Sequence, residues 1–271
     1  MMVSRAMLAV AAHMTASTVT LTDGVRLFYR QQGPSRGPAV IFLHGYSDSS
    51  FSFSRVIPLM PSDIRVIAPD FRGHGASDKP QRGFQITELA DDIIQVMDAL
   101  ELPTAIIVGH SMGSFVAQAI AERAPQRVST LVLVGSGPVA RNAVIRELKK
   151  TVDELRDPVD HAFVREFQYG SIAQPVPASF MDAAIENSKQ MPAAIWRSLI
   201  DGLIAYEPSV VRPRVRTMVM GGALDAVFSA DEQMTLAAQF GARLLLFDDV
   251  GHTPQWEQPE RFVRELMLFV K

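Results

Sequence analysis

The chain repeatedly sets a short, continuous apolar run directly before a segment with helical spacing, and few folds accommodate that order. The runs are AVIFLHG (39–45), VIA (66–68), AIIV (105–108), TLVLVG (130–135), RTMVMGG (216–222) and RLLLF (243–247). Unbroken hydrophobicity, rather than alternation, is what a strand needs when both faces of its sheet are covered. Between the runs, Ile86, Leu89, Ile93, Met97 and Leu100 recur at helical spacing, with Thr87 as the expected N-cap. Phe115, Ala119 and Ile120 mark a second helix that must end near Pro125. Strand alternating with helix predicts an α/β fold: a mostly parallel sheet flanked by helices on both faces. The stretch 18–30 alternates around Asp23-Gly24 and adds a hairpin.

The alternation stops between residues 141 and 206, where RNAVIRELKKTVDEL and AAIWRSLIDGLIAY read as helices broken at Pro158, Pro175, Pro177 and Pro192. Strand signals then resume, and 259–270 forms a closing amphipathic helix. The expected organisation is a leader over 1–17, a first core part over 18–138, a helical insertion over 139–208 and a second core part over 209–271. The leader holds a seven-residue apolar stretch, 6–12, behind Arg5. That is at the lower limit for an export signal and too short to cross a bilayer, which takes about 20 residues. Met14 also offers an alternative start. A poorly ordered leader on a cytoplasmic protein is the expectation, with export as the alternative.

Composition removes several classes of function. With 48% hydrophobic and 20% charged residues, 271 residues can bury a sizeable core. A net charge of −3 without basic clusters gives no footprint for nucleic acid or an anionic membrane. The absence of cysteine removes disulfides, thiolate nucleophiles and Cys-based zinc sites. The six histidines show no metal-ligand spacing, so no metal is expected.

One stretch points to chemistry. IVGHSMGSF (107–115) places Ser111 between Gly109 and Gly113 at the end of a buried run and the start of a helix. Strand ends of this kind are where open parallel sheets bind ligands. The flanking glycines suit a turn so sharp that side chains there would collide, with His110 as packing support. A serine hydroxyl needs a base. His252, in the turn after the last run, is the one histidine beyond residue 161. The imidazole in turn needs a carboxylate to set its tautomer. Asp225 follows RTMVMGG at another strand end, whereas Asp248 and Asp249 read as a polar turn. Two backbone donors are expected to hold a developing oxyanion, each worth about 3–4 kcal/mol. They are the N–H of Met112 and that of Tyr46, in a loop that Gly45 lets fold back sharply.

GHSMG, HGYSDS, DFRGHGASD and GHTPQWEQPERF, with Ser111, Asp225 and His252 in that chain order, resemble the α/β-hydrolase family from about residue 18 to the C-terminus. The likeness extends to small carboxylesterases, lactonases and cofactor-free haloperoxidase-like members. It implies an eight-stranded-type sheet with the insertion serving as a helical cap. It also implies a serine hydrolase that cleaves a neutral carboxylic ester or lactone with water, through an acyl-enzyme and without cofactor. Carbon–carbon bond hydrolysis, peroxide-dependent chemistry and slow-turnover ligand reception are the alternatives within the family. Asp70 and Arg72 are expected to be structural. Phe163, Phe167, Phe180 and Met181 from the first half of the insertion are candidates to line the substrate pocket. Trp196, Leu199 and Leu203 from its second half, and Val227 beyond it, complete that set.

Overall fold

The computed structural model of the protein describes residues 14–209 and 215–271. In chain order, β1 (Thr15–Thr20), β2 (Arg26–Gln32), β3 (Ala39–Leu43) and β4 (Arg65–Pro69) precede α1 (Ile86–Ala99). Then follow β5 (Ala105–His110), α2 (Met112–Arg123) and β6 (Val128–Val134). Four helices come next: α3 (Ala143–Glu154), α4 (His161–Tyr169), α5 (Ala178–Lys189) and α6 (Ala193–Ala205). The chain closes with β7 (Arg216–Gly222), α7 (Ala230–Phe240), β8 (Arg243–Phe247), α8 (Pro254–Glu257) and α9 (Pro259–Val270).

The eight strands form one sheet in the order β1-β2-β4-β3-β5-β6-β7-β8. β1 pairs with β2, and β2 with β4, antiparallel, while every other pairing is parallel. β2 therefore runs against the rest. The unbroken hydrophobicity of the central strands has a direct counterpart in packing. Ile41, Leu43, Ile107, Leu131, Leu133 and Val219 face one core layer with α1 and α2. Their neighbours Val40, Phe42, Val108, Val132, Met218 and Met220 face a second layer with α9. Alternate residues point to opposite faces. Both faces are covered, so neither parity can be polar.

Three expectations change. The first strand begins at Thr15, so the leader assigned to 1–17 gives up its last three residues to the sheet, and residues 1–13 lie outside those described. The N-cap of α1 is Gln85, whose N–H donates to the Glu88 carboxylate at 2.9 Å in a capping box. Starting the helix at Ile86 brings that side chain into the core at 1% exposure, and Thr87 falls inside the first turn. Helix α7, not among the expected helices, supplies the crossover that parallel β7 and β8 require. Its sequence signal is the capping box Ser229–Glu232. Among the described residues, no helix is long and apolar enough to cross a membrane.

Candidate active site

The loops after β3, β5, β7 and β8 all leave the carboxyl edge of the sheet, and they bring Tyr46, Ser111, Asp225 and His252 to one region. Ser111 sits between β5 and α2 with φ 51° and ψ −120°, a conformation that non-glycine residues rarely adopt. Its N–H is held by the Val134 carbonyl of β6 at 2.9 Å, and its carbonyl accepts from Ser114 Oγ at 2.6 Å. The glycines beside it are demanded by space. A Cβ at Gly109 would strike the Gly113 carbonyl, and one at Gly113 would strike the carbonyls of Leu43 and His44. The turn is therefore wedged between β3 and its own helix. Met112 is the first residue of α2, where an N–H has no partner within the helix. The helix dipole adds positive potential at that end.

His252 Nδ1 donates to Asp225 Oδ2 at 2.9 Å, and both side chains are almost wholly buried. In the neutral ring the carboxylate partner places the proton on Nδ1 and leaves Nε2 as an acceptor. Asp225 is itself oriented, since its Oδ1 accepts the N–H groups of Val227 at 2.7 Å and Phe228 at 2.9 Å. Asp249 Oδ1 instead accepts from Gln258 at 2.8 Å, on an exposed turn with Asp248. His110 Nε2 donates to the carbonyl of His252 at 3.0 Å, tying the turn at Ser111 to the loop after β8. Its Nδ1 has no hydrogen-bond partner and faces Asp48 Oδ2 at 4.0 Å. Burial, and then the nearby His252, hold the His110 ring well below the usual imidazole range.

The loop after β3 is fastened from below. Phe71 N–H donates to His44 Nε2 at 3.0 Å, so Nδ1 carries the proton and donates to the Gly45 carbonyl at 2.9 Å. Full burial lowers His44 to about 4, so the ring stays neutral. The loop's sharp bend is not at Gly45: the left-handed residue is Ser47, at φ 65°. Gly45 is small because Asp48 Oδ2 and His110 Nδ1 both lie 3.0 Å from where a Cβ would be. Asp70 takes the N–H groups of Ser50 at 2.6 Å and Ala76 at 2.8 Å, and Arg72 pairs with Asp92 and Asp23. These two residues brace the loops beside the site.

Ser111 and His252 line a cavity of about 360 Å³, within the usual range for small-molecule sites. Phe163 and Phe167 of α4, Leu203 of α6 and Val227 contribute to its wall, with Tyr46, Met112 and Phe228. Phe180, Met181, Trp196 and Leu199 do not reach it. Trp196 and Leu199 are fully buried one layer behind, where the Trp196 ring packs edge-on against Tyr46, Phe163 and Phe167 at 5.1–5.6 Å. Phe180 and Met181 pack with Trp256, Phe180 stacking on Phe51 at 5.1 Å. Phe180, Met181, Trp196 and Leu199 thus seat the insertion on the core, while the half-buried Phe163 and Phe167 and the buried Leu203 meet the cavity. Sequence reading missed Asp48, Glu166 and Gln168 in the lining. The last lies one residue beyond Phe167 and has no motif of its own.

Comparison with known proteins agrees with this architecture. A family model described as alpha/beta hydrolase fold matches residues 38–259. The chain is similar, at 29% identity, to a putative 2-succinyl-6-hydroxy-2,4-cyclohexadiene-1-carboxylate synthase of Bacillus subtilis, over 93% of this chain and 97% of that one. It is also 29% identical to a 2-hydroxymuconate semialdehyde hydrolase of a Pseudomonas species, over 89% of each. An esterase structure from Exiguobacterium antarcticum superposes with a TM-score of 0.82 at 23% identity, covering 94% of this chain and 98% of that one. At that identity the likeness is one of fold.

Proposed function

The chain belongs to the α/β-hydrolase fold family, and from that premise we propose that it hydrolyses a neutral carboxylic ester or lactone with Ser111 as nucleophile. The observation that carries this reading is the 2.9 Å Asp225–His252 hydrogen bond at the wall of the cavity that Ser111 also lines. Nε2 of His252 takes the Ser111 proton as Oγ attacks the carbonyl carbon. The N–H groups of Tyr46 and Met112 hold the oxygen that becomes negative. The bond from carbon to the leaving alkoxide breaks as His252 returns the proton to that oxygen. A water then adds to the acyl-enzyme, giving its proton to His252. Release of the acid restores that proton to Ser111 Oγ.

The substrate class follows from charge. Among the described residues, no Lys or Arg lines the cavity, whereas Asp48 and Glu166 do. An anionic substrate would bring its charge into a low-dielectric space with no cation to meet it. Carbon–carbon bond hydrolysis is the second reading, brought in by the semialdehyde hydrolase named above. The synthase relative is named for a carboxylate, and among the described residues no cation lines this cavity to hold one.

Activity-based labelling tests the nucleophile: a fluorophosphonate should add its mass to the Ser111 peptide of the wild-type protein and not to Ser111→Ala. A series of p-nitrophenyl esters, from acetate to decanoate, against a succinate half-ester tests the class. Neutral esters should lead in kcat/KM. Preference for the half-ester, or label on another residue, rejects the proposal.

A further inference from the structure

The loop that carries Tyr46 is not free-standing: four consecutive residues bond to the inserted helices. Tyr46 Oη donates to the Trp196 carbonyl of α6 at 2.7 Å. The Ser47 carbonyl accepts from Ser188 Oγ of α5 at 2.9 Å. Asp48 Oδ1 accepts from Gln168 Nε2 of α4 at 3.1 Å. Ser49 Oγ meets Asn187 Oδ1 of α5 at 3.5 Å. These bonds fall on Ser47, the left-handed residue of the loop, and on the residues either side of it. A non-glycine residue stays in that conformation only when its surroundings over-determine it.

Gln168 is where three of these elements meet. Its amide has two N–H groups, and both are used: one on Asp48 Oδ1, the other on Ser188 Oγ at 2.8 Å. The residue is 1% exposed. Asp48 is also buried, and burial pushes its carboxyl up to about 6 against the Gln168 hydrogen bond that favours the charged form. The end of α4 reaches the loop after β8 as well. The Gln168 carbonyl accepts from Ser171 Oγ at 2.7 Å, and the Ser171 carbonyl accepts the His252 N–H at 2.8 Å. Glu257 closes this side, taking the N–H groups of Ala173 at 2.9 Å, Gln174 at 2.7 Å and Gly251 at 3.0 Å.

We propose that Gln168 is a positioning residue: by clamping Asp48 and Ser188 together, it keeps the Tyr46 amide aimed at the oxyanion and makes turnover depend on the seating of the inserted helices. This rests on the acyl-transfer reading above. An oxyanion donor acts only in the transition state, so a donor held less well lowers kcat and leaves substrate binding nearly unchanged.

The test uses Gln168→Met, similar in size but without either donor, and Ser188→Ala, which lies outside the cavity wall. Each should lower kcat roughly tenfold, a fraction of the 10²–10³-fold that deleting a donor costs. KM should hold within about twofold, and affinity for benzeneboronic acid, which forms a tetrahedral adduct, should fall in step with kcat. The double variant should lose little more than Gln168→Met alone, since both cut one linkage. Unchanged kcat in both variants, or a loss confined to KM, overturns the proposal. If Gln168→Met does not fold, Ser188→Ala decides by the same criteria. Fluorophosphonate labelling of the wild-type protein separates the two failures: labelled Ser111 with full kcat in the variants rejects the positioning role alone.

Discussion

Asp225→Asn is the sharpest single perturbation of the site, because the structure dictates how the new side chain must lie. Oδ1 of Asp225 accepts two backbone N–H groups, from Val227 and Phe228, at 2.7 and 2.9 Å. An asparagine keeps both bonds only by placing its carbonyl oxygen there. Its NH₂ then occupies the position of Oδ2, 2.9 Å from His252 Nδ1. Two N–H donors cannot face each other, so the imidazole shifts its proton to Nε2 and presents Nδ1 as acceptor. The fold keeps its hydrogen bonds, while the nitrogen needed as base toward Ser111 is now protonated. A wrong tautomer of this kind costs about 10⁴-fold in kcat, or about 5.5 kcal/mol of transition-state stabilisation. Stability should move by less than about 1 kcal/mol, because no buried group loses its partner. Steady-state hydrolysis of p-nitrophenyl butyrate gives the kinetic side, and urea unfolding at pH 7.5 the stability side. A loss below about tenfold, with the fold intact, would refute the tautomer argument and the assignment of His252 as base.

Three further outcomes are expected. Ser111→Ala should abolish labelling and lower kcat by about 10⁶-fold, with urea stability within about 0.5 kcal/mol of wild type; appreciable residual turnover would mean a different nucleophile. Arg72→Met leaves Asp92 buried without the guanidinium that meets it at 2.6 Å, which should cost about 3–5 kcal/mol of unfolding free energy, and Arg72→Met/Asp92→Leu should recover most of it. His44→Gln tests the buried neutral imidazole. The folded-state value of about 4 lies below the usual 6.5, so the wild-type ring stabilises the fold above pH 6.5 and loses that contribution as pH falls toward 4. The stability difference between wild type and variant should therefore shrink by about 1.4 kcal/mol per pH unit across that window, and a flat difference would contradict it.

Chain order and hydrophobic period are local properties, and what depends on them is readable. The parity of Val40, Ile41, Phe42 and Leu43 needs only a sheet covered on both sides, and each of the four has a core to enter. The cramped turn at Ser111 announces itself through two glycines, because the collisions they avoid lie within a few residues or on the adjacent strand. The placing of Asp225 and His252 uses only strand ends. Helix α7 is faint in the sequence because its buried stripe, Gln233, Leu236, Ala237 and Phe240, has helical spacing but includes a polar and a small residue. The bend at Ser47 carried no signal, since a serine shows nothing of its φ.

The sequence alone determined the order of layers and the strand ends where chemistry can gather. Tertiary structure decided which side chains of that insertion face the cavity. Trp196, Leu199, Phe180 and Met181 pack into the core, although Phe163, Phe167 and Leu203 on the wall are no less apolar than Phe180 and Leu199. Burying a large apolar side chain in contact with the protein stabilises more than leaving it at a solvent-filled wall. The wall is left to Phe163, Phe167 and Leu203, and to Gln168, whose two donors found acceptors on elements 120 and 20 residues away in the chain. No window of sequence contains such a meeting, because it exists only once the helices are seated.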